Sequence, residues 1–285
     1  MPTVVAKIVG GIGNQLFCYA AARRLALQRN ADLCLELNFF RSDVNFGRAC
    51  RLDRFKLPAH TVRRSRRRLP PRLDHYLWRL QRRAALAGLL PGSDWLIESA
   101  PGVFEPRVLE AQVARTTVLD GYWQDERYFA DVAPRLRRDL EFRGELDARQ
   151  RELAPRIIGG ESVAVHCRRL YGERDALGFD YYERAIAAIA AGVTRPAFFL
   201  FGDDPRWLQE RWPKGLEATV VGNGGGESEV ADLRLMSLCR HFIVANSTFS
   251  WWGAWLGAAP GKVVVAPRPQ GRRFEVRSAA GWTEI

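Results

Sequence analysis

The chain has 285 residues, 47% hydrophobic and 26% charged, a composition that buries a core and excludes disorder; the length suits two domains. Its 43 Lys+Arg against 32 Asp+Glu give a net charge of +11, which favours anionic partners. Five scattered cysteines without C-x-x-C spacing argue against a disulfide framework or zinc site, and with no secretory signal or membrane-spanning run a cytoplasmic protein is expected.

In chain order, Val4–Val9 predicts a strand, Gly10-Gly11-Ile12-Gly13-Asn14 a tight turn, Gln15–Arg29 a helix and Asp32–Leu37 an alternating strand. That is a βαβ opening. The composition then turns basic from Arg63 to Arg83: the run Arg63-Arg64-Ser65-Arg66-Arg67-Arg68 leads into a helix with Tyr76, Leu77, Leu80 and Ala84 beside Arg79, Arg82 and Arg83. Such a helix either packs one face on the core and solvates its charges, or lies peripherally on an anionic membrane, here the inner face of the cell membrane. Asp120–Phe129 mixes aromatic and polar residues, and Arg135–Arg151 predicts one charged helix. Pro155 and Gly159-Gly160 interrupt the pattern, so the domain crossing is expected at 155–161. This gives an N-terminal α/β domain, 1–155, with a basic helical insertion at about 60–90, and a C-terminal domain, 156–285.

In the second half, Val163–His166 predicts a strand, Tyr181–Ala191 a helix and Ala197–Phe201 a buried strand ending in Gly202-Asp203-Asp204-Pro205. The glycines Gly224-Gly225-Gly226 lead into a helix Val230–Cys239, a strand Phe242–Ala245, a further helix begun at Asn246-Ser247-Thr248-Phe249-Ser250, and a strand Val263–Val265. The fold class is α/β, built as two successive Rossmann-like halves.

Ligands of open α/β sheets bind beyond the carboxyl ends of the strands, so three strand ends matter. At the first, Gly11 and Gly13 let the backbone approach a ligand, with Asn14 and Gln15 at a helix start; G-x-G-x-x-G is not met, and a plain tight turn fits equally. At the second, His166-Cys167-Arg168-Arg169 offers guanidinium forks suited to a diphosphate, or a solvated arginine pair. At the third, Ser247, Thr248 and Phe249 open a helix whose hydroxyls and amides cradle an anion, or simply cap it while Trp251, Trp252 and Trp255 fill the core. The adjacent carboxylates Asp203 and Asp204 point apart in a loop without a third ligand, so no metal is expected there.

Together with Asp232-Leu233-Arg234-Leu235-Met236, these stretches resemble the α-1,2-fucosyltransferases of glycosyltransferase family 11, above all through Gly10-Gly11-Ile12-Gly13-Asn14-Gln15-Leu16-Phe17-Cys18-Tyr19-Ala20. Smaller echoes are Leu52-Asp53-Arg54-Phe55, Gly121-Tyr122-Trp123-Gln124 and Gly202-Asp203-Asp204-Pro205. The resemblance implies two Rossmann-like domains facing across a cleft (the GT-B type) and transfer of L-fucose from GDP-fucose, with inversion, to a galactose hydroxyl of a glycan acceptor, without metal or other cofactor. It further implies that Arg168 grips the β-phosphate with Arg169 beside it, that His166 and Asp232 contact the guanosine, that Ser247, Thr248 and Phe249 line the diphosphate pocket, and that Asn14 faces the reacting centre. The family's Arg-Arg-Gly-Asp-Tyr is replaced by Arg168-Arg169-Leu170-Tyr171-Gly172, which leaves Glu173 or Asp175 as candidates for the base. Alternative readings are a GDP-sugar transferase of different linkage, an inactive GDP-sugar-binding protein, and a nucleic-acid-binding protein. The last is disfavoured because the basic residues cluster in one insertion and no base-reading module appears, so no nucleic-acid partner is expected.

Overall fold

The computed structural model describes residues 1–42, 47–58, 62–63, 70–90, 94–113, 115–170, 172–173, 175–221, 229–270 and 276–285. The arginine run at 64–68, Tyr171 and Gly224-Gly225-Gly226 lie outside the described residues. The chain forms two compact units, Met1–Arg143 and Gly144–Ile285.

The first unit comprises β1 (Thr3–Lys7), α1 (Ile12–Gln28), β2 (Asp32–Glu36), α2 (Phe39–Ser42), β3 (Val62–Arg63), α3 (Pro71–Leu86), β4 (Asp94–Ile97), α4 (Arg107–Glu110), β5 (Thr116–Asp120) and α5 (Ala133–Asp139). Its strands pair in parallel in the order β3-β2-β1-β5-β4. Val4, Ala6, Leu33, Leu35 and Leu119 are buried, as expected of parallel strands covered on both sides. α1 is buried almost all round, which its alanines permit and which forces its two arginines to find partners: Arg23 Nε lies 2.8 Å from Asp139 and Arg24 Nη2 3.0 Å from Asp131.

The second unit comprises α6 (Ala148–Ile158), β6 (Ser162–Cys167), α7 (Phe179–Gly192), β7 (Ala197–Gly202), α8 (Pro205–Glu210), β8 (Ala218–Val220), α9 (Glu229–Ser237), β9 (His241–Ile243), α10 (Thr248–Leu256), β10 (Val264–Ala266) and β11 (Thr283–Glu284). The order is β11-β10-β9-β6-β7-β8, all parallel. Alternate residues feed two apolar layers. Val163, Val165, Phe198 and Leu200 pack with Tyr181, Ile186 and Ile189 of α7 on one side, while Ala164, Phe199, Phe201 and Phe242 pack with Leu153, Leu235 and Met236 on the other.

Two expectations about the middle of the chain need correction. The single charged helix over 135–151 is two helices, because after α5 the chain turns back: Phe142 bridges antiparallel to Phe55, and the Arg143 N–H donates to the Arg54 carbonyl. α6 then starts afresh at a reciprocal cap, where Asp147 accepts the Gln150 N–H and Gln150 accepts the Asp147 N–H. The division between units accordingly falls at 143/144, earlier than 155–161. Pro155 sits inside α6 without ending it, and α6 is held to the second unit by Arg149 Nη1, 3.0 Å from Asp232 Oδ1 on α9.

Candidate functional site

In the second unit the chain leaves β6 toward β7 on one side, whereas β9 lies on the other. The strand order therefore reverses between β6 and β9, and a reversal of this kind is where open α/β sheets hold their ligands, beyond the carboxyl ends of the two strands. His166, Arg168 and Arg169 leave β6 at this point; Ser247, Thr248 and Phe249 follow β9. The two loops meet: the His166 imidazole stacks on Phe249 with centroids 5.3 Å apart.

The arginine loop is held by Asp203, whose carboxylate accepts the Arg169 N–H at 2.8 Å and the Leu170 N–H at 2.9 Å. Its Oδ2 also lies 3.4 Å from Arg168 Nη1. This reach depends on Gly202, with φ of 136°: a Cβ there would collide with the Cys167 carbonyl oxygen, so only glycine brings the end of β7 against the end of β6. One carboxylate thus fixes both the backbone and the guanidinium of the loop. Arg169 packs instead on α8, with Cζ 4.2 Å from the Trp207 ring centroid and Glu173 and Asp204 at 3.7 and 3.8 Å. Asp204 accepts the Trp207 N–H and so caps α8. Both adjacent carboxylates therefore have protein partners, and among the described residues no group of three His, Cys, Asp or Glu side chains is arranged to hold a metal ion.

Ser247 is the N-cap of α10, its Oγ accepting the Phe249 N–H at 3.3 Å, and Ser250 Oγ accepts the Ala245 N–H. Arg168 leaves β6 two residues after His166, whose ring stacks on Phe249 in the first turn of α10, and the start of that helix carries the positive end of its dipole. Burial, with the Arg168 charge, pushes the His166 imidazole down to about 3, so the ring is neutral at physiological pH; its Nδ1 is buried without a hydrogen-bond partner among the described residues. The tryptophans of α10 are core: Trp251, Trp252 and Trp255 are buried and pack ring against ring.

In the first unit the order reverses between β1 and β5. Gly11 caps α1 and Gly13 lies in its first turn, while Asn14 Oδ1 accepts a hydrogen bond from Gln124 Nε2 at 2.9 Å, joining the two loops. Gln15 is structural: its amide donates to the Gly10 and Ala49 carbonyls and accepts the Arg51 N–H. Glu98 holds the β5 loop, accepting the Tyr122 and Trp123 N–H groups at 2.8 and 3.1 Å. Trp123 has φ of 56°, a left-handed conformation that a non-glycine residue keeps only where its surroundings enforce it. Burial raises the Glu98 carboxyl above its ordinary range against the pull of those two N–H groups.

The structure thus brings together His166 with Phe249 and Arg168 with Asp203, on loops of neighbouring strands. It ties Asp232 to Arg149 on α6, where burial raises the Asp232 carboxyl despite the arginine. Of the base candidates, Glu173 is solvent-exposed beside Arg169 and Asp175 is half-buried. Asp203, Glu98 and Gln124 were not among the expected site residues. The signal for Asp203 is the glycine before it at a strand end, and for Glu98 a position directly after β4.

Two parallel-sheet units of Rossmann type, the second with an arginine loop and a helix start at its switch point, give the chain the GT-B fold class. Residues 104–284 match glycosyl transferase family 11, and the chain belongs to that family. It is similar to the "Alpha-1,2-colitosyltransferase" of Escherichia coli, 27% identical over 98% of this chain and 96% of that one. It is also similar to the "O-antigen biosynthesis glycosyltransferase WbnK" of Escherichia coli, 28% identical over 91% and 92% of the two chains. Among solved structures, the NodZ alpha-1,6-fucosyltransferase of Bradyrhizobium, soaked with GDP-fucose, shares the fold with a TM-score of 0.55 at 15% identity over 93% of this chain and 94% of that one.

Proposed function

We propose that the chain transfers L-fucose from GDP-β-L-fucose to a hydroxyl, O2 of a galactose, on a surface-polysaccharide or O-antigen glycan. The observation that carries this reading is the Arg168 loop, held by Asp203 and joined to the start of α10 by the His166–Phe249 stack, at the β6/β9 switch point. The family and the relatives' names support it.

In the proposed reaction the acceptor oxygen attacks C1 on the side opposite GDP. The C1–O bond breaks and its electron pair leaves with the β-phosphate; one displacement converts the β-linked donor to an α-fucoside. Negative charge grows on the departing diphosphate, so Arg168 and the α10 amides stabilise the transition state more than the ground state. The neutral His166 imidazole and Phe249 serve the guanosine end, with Ser247 and Thr248 along the diphosphate. The hydroxyl proton passes to a carboxylate, for which Glu173 and Asp175 remain the candidates, and the Asn14 amide orients the reacting centre. Because charge compensation comes from a guanidinium and a helix start, turnover is expected without added divalent metal.

The name of the colitosyltransferase relative favours a second reading, in which the sugar moved is colitose. A panel of GDP-, UDP- and CMP-sugars with galactoside acceptors, run with chelator, tests both. GDP release from GDP-fucose and an α-1,2 product by NMR are expected. Preference for GDP-colitose would establish the second reading, and inertness toward every GDP-sugar would sink both.

A further inference from the structure

Among the described residues, the helix α3 has one anchored face and one exposed face. Trp78 Nε1 donates to Asp120 Oδ2 at 3.1 Å, and the Lys7 ammonium lies 4.4 Å from the Trp78 ring centroid, so the Trp78 face is pinned over the ends of β1 and β5. Arg82, one turn on, shares that face, with Cζ 5.9 Å from the same ring. At 3.6 residues per turn, Leu73, Tyr76 and Leu80 fall within an arc of about 60° on the opposite side. Their exposures are 42%, 58% and 41%; off this stripe, Leu86, the last residue of α3, and Leu89 after it stand 69% and 70% exposed. These five make up most of the nine large hydrophobic side chains exposed among the described residues, so the apolar exposure of the molecule is concentrated here. Arg79 and Arg83, also exposed, border the stripe along one flank. The helix carries four arginines against one aspartate, in a chain of net charge +11.

We infer that the outer face of α3 seats the protein on an anionic lipid bilayer. An apolar stripe bordered by arginines suits the boundary between acyl chains and headgroups: the leucines and tyrosine enter the apolar side while the guanidinium groups remain among anionic headgroups. Pairing with a second copy would bring Arg79 and Arg83 against their own images, and a nucleic acid would leave Leu73, Tyr76 and Leu80 without an apolar partner. No helix among the described residues is long and apolar enough to cross a membrane, so the attachment is to one surface only. The inference is independent of which sugar is transferred.

Flotation of the full chain with vesicles of phosphatidylcholine alone, or with phosphatidylglycerol added, tests it. The wild type is expected to float with the anionic vesicles only. Leu73→Glu/Tyr76→Glu/Leu80→Glu should lower partitioning about tenfold or more, and Arg79→Gln/Arg83→Gln about tenfold to thirtyfold. Both should leave acceptor-independent GDP release unchanged, because the substituted side chains point away from the anchored face. If the glutamates unfold the chain, the serine versions of the same three positions take their place. The inference is overturned if the wild type floats with neither vesicle or with both alike, or if the apolar substitutions leave flotation intact. It is equally overturned if those substitutions instead dissolve a dimer seen by sedimentation.

Discussion

In both units the chain order reverses beside the first strand, β1 with β5 and β6 with β9, yet the two reversals are furnished differently. At the second, a carboxylate is spent on backbone N–H groups and on aiming a guanidinium, and a capped helix start adds to the positive potential. At the first, two neutral amides meet, Asn14 and Gln124, the Lys7 ammonium at the end of β1 is balanced by Asp120 at the end of β5 3.6 Å away, and the nearby carboxylate of Glu98 holds a strained loop. Topology supplies a switch point in each case, and under the proposed function the side chains decide its ligand. A site for a departing diphosphate needs fixed cations, while a site for uncharged hydroxyls needs oriented amides.

The sharpest way to break this contrast is Arg168→Ala. If the second crevice carries the charge of the leaving group, turnover with saturating GDP-fucose should fall about a thousandfold, on the order of 4 kcal/mol in the barrier. Arg168→Lys should recover only part, since an ammonium keeps the charge without the fork that Asp203 orients. A loss below about tenfold in GDP release would remove the asymmetry between the units.

Glu98→Ala probes the other side. It strands two N–H groups, the half-buried one of Tyr122 and the buried one of Trp123, and should cost about 2 kcal/mol in a denaturant titration. Because the loop it frees carries Gln124, transfer to acceptor should drop while acceptor-independent GDP release from the same preparation persists. Equal loss of both activities would mean that the first crevice does not handle acceptor separately.

How far the sequence reveals this arrangement depends on the distance between partners. The apolar strands and the glycine turn after β1 are local features, and so are Arg168 and Ser247–Phe249, which directly follow strands. The break between α5 and α6 is hidden because charged residues run continuously through it; what ends α5 is Phe142 meeting Phe55, far back in the chain. Asp203 and Glu98 are hidden for the same reason. Their partners are backbone N–H groups of residues 169, 170, 122 and 123, which carry no side-chain signature. Gln15 errs in the other direction: its place beside Asn14 suggests a ligand contact, but a helix turns neighbours to different sides, and its amide is spent on Gly10, Ala49 and Arg51.

The smallest effect distinguishes the crevices by the sign of their titration. His166 is held down to about 3 by burial and by Arg168, whereas an imidazole in the unfolded chain titrates near its ordinary value of about 6.5. Between those values the unfolded state binds more protons, so stability contributed by His166 is full above the upper value and is lost as pH falls toward the lower, at about 1.4 kcal/mol per pH unit. Glu98 runs the opposite way: its carboxyl is raised in the fold, so the folded state binds more protons and its contribution falls as pH rises through the ordinary carboxylate range. His166→Phe keeps a ring against Phe249 and removes the titrating group, whose Nδ1 has no hydrogen-bond partner to lose. Denaturant midpoints at pH 7 and pH 5 should therefore differ less in this variant than in the wild type. If the two proteins show the same difference, the imidazole is already hydrated and titrates freely, and the dry guanosine end assigned to it does not exist.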